Sequence, residues 1–192
     1  LNQSQVIGLA NTLSDPRDVI VCAAGSMPGD LHKLWRTRDR KGYHVEYGYS
    51  CMGYEIAGGL GVALAIRDAG ETDRRAVVMV GDGSYLMMAQ ELVTAVQEGV
   101  DLLVVLVQNH GFASIGELSE SLGSQRFGTR YRFRAAGTGR LDGDLLPVDL
   151  AANAESLGVR VLRAGGIEDF RAKLAQARAH TGGPVLVHVE TD

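Results

Sequence analysis

The sequence is short of several things. It holds two cysteines, Cys22 and Cys51, too few for a disulfide framework or a zinc site. Cys22 lies in an apolar stretch and is expected in a core strand. Nothing here asks for an oxidising compartment, so the cytoplasm is the expected location. There are four prolines and one tryptophan, and aromatics make up 6% of the chain. No low-complexity tract or internal repeat is present. No run reaches the roughly 18 apolar residues that a membrane span needs. Basic residues are not in excess: the net charge of −4 argues against a nucleic-acid partner. Residues 1–14 lack the basic region and apolar core of a signal peptide. The first residue is Leu1 rather than Met, from which a piece of a longer protein is expected.

What is present fits one soluble domain. A chain of 192 residues can bury roughly 70% of the surface that its unfolded form exposes, so a core forms without staples. Hydrophobic residues make up 45% and charged residues 22%, ordinary for a globular protein. Glycine is frequent, at 25 residues. That suits tight strand-to-helix turns around a ligand.

The pattern alternates strands and helices. Short apolar runs predict strands at 18–23, 43–45, 76–80, 102–107, 159–163 and 184–189. Helical spacing predicts helices at 28–36, 53–68, 149–157 and 167–180. Pro28 is tolerated in a first turn, and Asp149 is a natural N-cap. The spacing of Leu86, Met87, Val93 and Val96 predicts a further helix from Ser84. Alternation of this kind implies an open, mainly parallel sheet with helices on both faces. Residues 113–146 are rich in Gly, Ser and Arg and are expected to form a long loop, partly mobile without a ligand.

One constellation carries chemistry. The run Ala76-Val77-Val78-Met79-Val80 ends in Gly81-Asp82-Gly83-Ser84. The run 102–107 ends in Gln108-Asn109-His110-Gly111. An Asp and an Asn therefore stand at the carboxyl ends of two strands, the edge where open parallel sheets bind ligands. Gly81 and Gly83 let backbone approach a ligand closely. Free amides at the following helix start suit a phosphate. Asp82 and Asn109 offer hard oxygens, and Mg²⁺ takes about six, commonly including carboxylate and phosphate oxygens. Asp82 is expected in a polar turn, where its loss would cost little stability.

GDG, then Asn about 25 residues on, resembles the thiamine diphosphate signature of the pyruvate decarboxylase and acetolactate synthase superfamily. The strings AAGSMPGDLHKLW, EYGYSCMGYEIAGGLGVALA, GDGSYLMM and LPVDLAANAESLG narrow the likeness. They resemble the trihydroxycyclohexane-1,2-dione hydrolases of inositol breakdown, over residues 19–189. The resemblance implies a thiamine diphosphate-binding fold, with Mg²⁺ held by Asp82, Asn109 and the carbonyl of Gly111. It implies that Gly83 and Ser84 contact diphosphate and that Met52 props the thiazolium ring. Met52 could otherwise simply fill a core gap. Gly25 and Ser26 follow the first strand at the same edge and are candidates for cofactor contact or for a plain turn.

The implied reaction is hydrolytic C–C cleavage of a cyclic 1,2-dione. The implied partners are a pyrimidine-binding domain carrying an activating glutamate, outside this sequence, and further copies in a homo-oligomer. Alone, the chain would then hold half a site. His110 stands where many relatives carry a second Asn; it is either a neutral replacement or an acid–base group, the former preferred. His32, His44, His180 and His188 lack metal-ligand spacing. Arg126, Arg130, Arg132 and Arg134 read as a solvated or interface loop before a substrate-anion site. The rival functions are a 2-oxo acid decarboxylase or acetolactate synthase and a non-catalytic diphosphate-binding module. A dehalogenase-type phosphatase also uses a Gly-Asp-Gly turn, but the DxDxT nucleophile motif is missing.

Overall fold

A computed structural model describes residues 1–191. Its strands are β1 (Val19–Cys22), β2 (Tyr43–Val45), β3 (Ala76–Gly81), β4 (Leu102–Gln108), β5 (Arg160–Ala164) and β6 (Val185–Glu190). They form one sheet in the order β2-β1-β3-β4-β6-β5, and every pairing is parallel. The helices are α1 (Gln3–Leu13), α2 (Ser26–Leu34), α3 (Tyr54–Asp68), α4 (Asp82–Met88), α5 (Glu91–Glu98), α6 (Ala113–Ser121), α7 (Leu150–Ser156) and α8 (Ile167–Arg178).

The central strands β3 and β4 are apolar along almost their whole length because both of their faces are covered. Successive side chains point to opposite faces. Val78, Val80, Leu102, Val104 and Leu106 pack under α3, α4, α5 and α7. Val77, Met79, Leu103, Val105 and Val107 pack under α1, α2 and α8. Each fully buried Val or Leu stabilises this arrangement by about 1.5–3 kcal/mol. Helix α3 lies close on the sheet because Gly59 faces it. A Cβ built there would sit 2.2 Å from Val78 Cγ2.

The topology decides where a ligand can go. From β1 the chain moves outward to β2, then returns to β3 on the other side of β1. Strand order reverses between β1 and β3. The crevice outside the carboxyl ends of strands at such a switch point is a ligand site. The turns after β1, β3 and β4 all open on this edge.

Two expectations need correction. Residues 113–146 are not loop throughout, since 113–121 form α6. The helix was hidden because Phe112 caps it without a side-chain hydrogen bond and only Gly116 is buried, so no apolar stripe marks it. The region after β3 is two helices, and its first begins at Asp82. Leu86, Met87, Val93 and Val96, which carried the spacing, are 46%, 47%, 48% and 37% exposed. The inward face is Tyr85, Ala89, Leu92 and Ala95. Residues 1–14, for which the sequence pattern assigned no element, include α1, whose start is a capping box between Asn2 and Gln5.

The close packing of α3 gives a paired prediction. Gly59→Ala overpacks the α3–β3 contact and is expected to destabilise by about 1–3 kcal/mol. Gly61→Ala, where an added Cβ meets nothing within 4 Å, is expected to stabilise by about 0.5–1 kcal/mol. Denaturant unfolding of the two variants checks both signs.

Candidate functional site

The site is built from three adjacent strand ends. After β1 comes Gly25, with φ 85°, as the N-cap of α2, and Ser26 opens that helix. The Ser26 hydroxyl donates to Gln3 Oε1 at 3.3 Å. β3 ends at Gly81, the N-cap of α4, followed by Asp82, Gly83 and Ser84, all buried. After β4 come Asn109, His110 and Gly111.

Asp82 is 1% exposed, so it is not in a solvated turn. Its Oδ1 accepts from Gly83 N at 2.9 Å. Its Oδ2 accepts from Asn109 N at 3.2 Å and from Gly111 N at 3.1 Å. The carboxylate therefore ties the β3 turn to the β4 turn. Burial pushes its acidity weaker than an ordinary Asp, while the Gly111, Gly83, His110 and Asn109 backbones pull the other way. The expectation that its loss costs little stability is thus corrected. Removing the carboxylate strands three backbone donors, at about 1–3 kcal/mol for each one left unsatisfied.

The β4 turn is held from behind as well. His110 has φ 62°, in the left-handed region. The buried His188 Nε2 donates to Gln108 Oε1 at 2.7 Å, and Gln108 Nε2 lies 3.2 Å from His110 Nδ1. The polarity of the Gln108 amide thereby assigns a bare Nδ1 and an Nε2–H to His110. That Nε2 faces Glu190 Oε2 at 3.6 Å. Both His110 ring nitrogens thus have protein partners. Desolvation lowers the pKa of His188, which keeps it neutral in this chain of contacts.

On its other side the turn pairs with the Arg-rich segment. Gly111 and Arg130 form an antiparallel bridge, made by Phe112 N to Thr129 O at 2.8 Å and Tyr131 N to His110 O at 3.1 Å. The Gly111 carbonyl takes part in neither bond. A Cβ on Gly111 would lie 2.2 Å from Thr129 O, so only glycine allows the approach. Arg126 pairs with Glu120, and Arg132 donates to Gly143 O at 2.8 Å. Arg134 donates to Gly139 O. Arg126 and Arg130 also line a cavity of ≈ 180 Å³ together with Asn109 and Gly111.

Two buried polar atoms at this edge have no hydrogen-bond partner: Asn109 Oδ1 and Tyr131 Oη. The Tyr131 hydroxyl feels the Asp82 charge, and its pKa is raised, first by burial and then by that charge. Asp82, an orphaned amide oxygen and an uncommitted carbonyl thus stand on two turns tied together by backbone hydrogen bonds, offer only oxygen donors, and have no basic side chain hydrogen-bonded to them. Such a set suits a hard divalent cation. Met52 is half-buried and lies against the β3 turn. A Cβ built on Gly83 would be 3.3 Å from Met52 Cε and 2.7 Å from the Phe112 ring. Met52 belongs to neither core cluster, so it does not fill a gap in the core.

A family model for the C-terminal TPP-binding domain of thiamine pyrophosphate enzymes matches residues 23–189. The chain belongs to this family. The domain is 45% identical over 181 residues to a 3D-(3,5/4)-trihydroxycyclohexane-1,2-dione hydrolase of Bacillus thuringiensis (strain Al Hakam), covering 94% of the domain and 27% of that protein. The same figures hold for the hydrolase of that name from Bacillus anthracis. The chain thus spans about a quarter of the length of these relatives. Among solved structures, the domain matches benzoylformate decarboxylase from Polynucleobacter necessarius with a TM-score of 0.84 at 18% identity, covering 99% of the domain and 33% of that chain. It matches a thiamine diphosphate-dependent 4-hydroxybenzoylformate decarboxylase from Rhodococcus jostii RHA1 with a TM-score of 0.80 at 21% identity, covering 100% and 33%. These two likenesses carry the fold.

The paired turns generate a prediction independent of any ligand. Gly111→Ala must push the Thr129 backbone away. Hydrogen exchange at the Phe112 and Tyr131 amides is expected to accelerate at least about tenfold, the rate change for 1.4 kcal/mol of lost protection. Exchange read by mass spectrometry over 109–132 checks it.

Proposed function

We propose that this chain is the diphosphate-binding domain of a thiamine diphosphate- and Mg²⁺-dependent hydrolase that cleaves the C–C bond of a cyclic 1,2-dione. The observation that carries the reading is the group of oxygens on the joined β3 and β4 turns. A buried carboxylate with no cation beside it, next to an orphaned Asn109 Oδ1, is costly unless a positive charge joins it. In this reading Asp82, Asn109 Oδ1 and the Gly111 carbonyl hold Mg²⁺. Gly81, Gly83 and Ser84, with Gly25 and Ser26 across the switch point, face the diphosphate end. Met52, set against Gly83, supports the ring portion of the cofactor.

Bound thiamine diphosphate supplies the nucleophilic carbon and the electron sink for C–C cleavage. The chain's residues would fix that group in position. Three backbone N–H groups hold the Asp82 carboxylate in one orientation, so metal binding demands little reorganisation. Gln108 and Glu190 face both ring nitrogens of His110, which supports the neutral role for that histidine. The substrate class follows the name of the Bacillus relatives, and a place in inositol breakdown follows the sequence resemblance. The relatives' greater length leaves room for a pyrimidine-binding domain, and the reading takes the active form to be a homo-oligomer. No helix among the described residues is long and apolar enough to cross a membrane. Two unpaired cysteines agree with a cytoplasmic setting.

Asp82→Asn in the full-length enzyme tests this. The amide keeps the size of the side chain but removes the charge and turns an NH₂ group toward one set of the backbone donors, which is why affinity is read per folded molecule. Calorimetric titration with thiamine diphosphate and Mg²⁺ is expected to show at least about a 10–100-fold loss of affinity per folded molecule. Unchanged affinity contradicts the metal assignment.

A further inference from the structure

Glu55 is a buried carboxylate to which the reading above gives no task. It sits in the first turn of α3 and is 1% exposed. Its Oε1 accepts from Ala24 N at 3.2 Å, and its Oε2 accepts from Gly53 N at 3.0 Å. The Ser84 hydroxyl and its own backbone N–H also stabilise its charge, and no basic side chain does. The α3 N-terminus is a favourable place for an anion. Even so, an anion without a counter-charge is an expensive way to start a helix.

Its partners explain the placement. Ala24 directly precedes Gly25 and Ser26. Gly53 directly follows Met52. Ser84 closes the Gly-Asp-Gly turn. One carboxylate therefore touches the three segments that supply the proposed cofactor contacts outside the metal loop. The left-handed Gly53, with φ 93°, lets its N–H turn back onto the Glu55 side chain.

We infer that Glu55 is a positioning residue for the cofactor: it fixes the separation between the Met52 prop, the Gly25–Ser26 turn and Ser84. The sheet sets β1 beside β3, but Met52 lies in a connection outside the sheet. Glu55 links that connection to both strand ends. Losing it should loosen the cofactor cradle while the sheet stays intact.

The inference rests on the function proposed above, and the test separates the two. Glu55→Gln keeps the volume but turns an NH₂ group toward one of two backbone donors. In the full-length enzyme, the dissociation constant for thiamine diphosphate at saturating Mg²⁺ is expected to rise roughly 10–100-fold. The turnover number at saturating cofactor should fall less than the half-saturation constant rises. Val78→Ala is the control: it is buried in the same sheet within the core, so it should lower melting temperature and leave the constant unchanged. A folded Glu55→Gln enzyme with melting lowered and cofactor affinity within about twofold of wild type, well under the 10–100-fold expected, overturns the inference: Glu55 would then serve the fold alone. If Gln does not fold, Glu55→Asp keeps the charge but shortens the reach, and the same constant decides. A wild-type enzyme that binds no cofactor sinks the functional reading itself, an outcome no Glu55 variant can mimic.

Discussion

The Asp82 carboxylate is the constraint on which the site depends. It stands at the end of β3 and accepts from the backbones of Gly83, Asn109 and Gly111. Parallel pairing brings β3 and β4 side by side, but pairing alone does not fix the turns beyond them. The carboxylate does so, because three N–H groups converge on two oxygens inside the protein. Hydrogen bonds to a charged group are stronger than neutral ones, and they count most where water is excluded. The left-handed His110 and the close approach of Gly111 to Thr129 are tolerated because this network and the Gln108–His188 pair hold the turn from two sides. A buried anion arranged in this way remains short of positive charge, which is the physical ground for reading the turn as a cation site.

The fold itself was legible because β strands buried on both faces leave a plain signal. Alternation of apolar and polar residues was not needed: the unbroken apolar runs of β3 and β4 identified the strands, and the alternation of strands with helices along the chain implied the parallel sheet. Asp82 and Asn109 were legible for the same reason, since strand ends locate side chains well. Other features were hidden. Helix α6 buries almost nothing, so periodicity could not mark it. The apolar spacing of Leu86, Met87, Val93 and Val96 marked real helical structure but its outer face, because alanines, Leu92 and Tyr85 pack inward. The capping pair Asn2 and Gln5 was a readable signal for α1.

The depth of Asp82 and the role of Glu55 could not be read from local sequence. Both depend on which backbone donors the tertiary structure brings together. Ala24 and Glu55 are far apart in the chain, and so are Asp82 and Gly111. Hydrophobic patterning says nothing about such pairs. A buried acid in an otherwise small, apolar segment such as Tyr54–Asp68 is nonetheless a conspicuous exception to ordinary burial preferences. Asked where its hydrogen bonds go, that exception leads to the turns at the carboxyl edge.

The most direct measurement is a crystal structure of the full-length enzyme grown with thiamine diphosphate and Mn²⁺ in place of Mg²⁺, with anomalous data to locate the metal. The account predicts a peak about 2.1 Å from a carboxylate oxygen of Asp82, Asn109 Oδ1 and the Gly111 carbonyl, with Asp82 still accepting from the surrounding backbone. A metal bound elsewhere, or a cofactor held with Asn109 Oδ1 away from the ion, would contradict it.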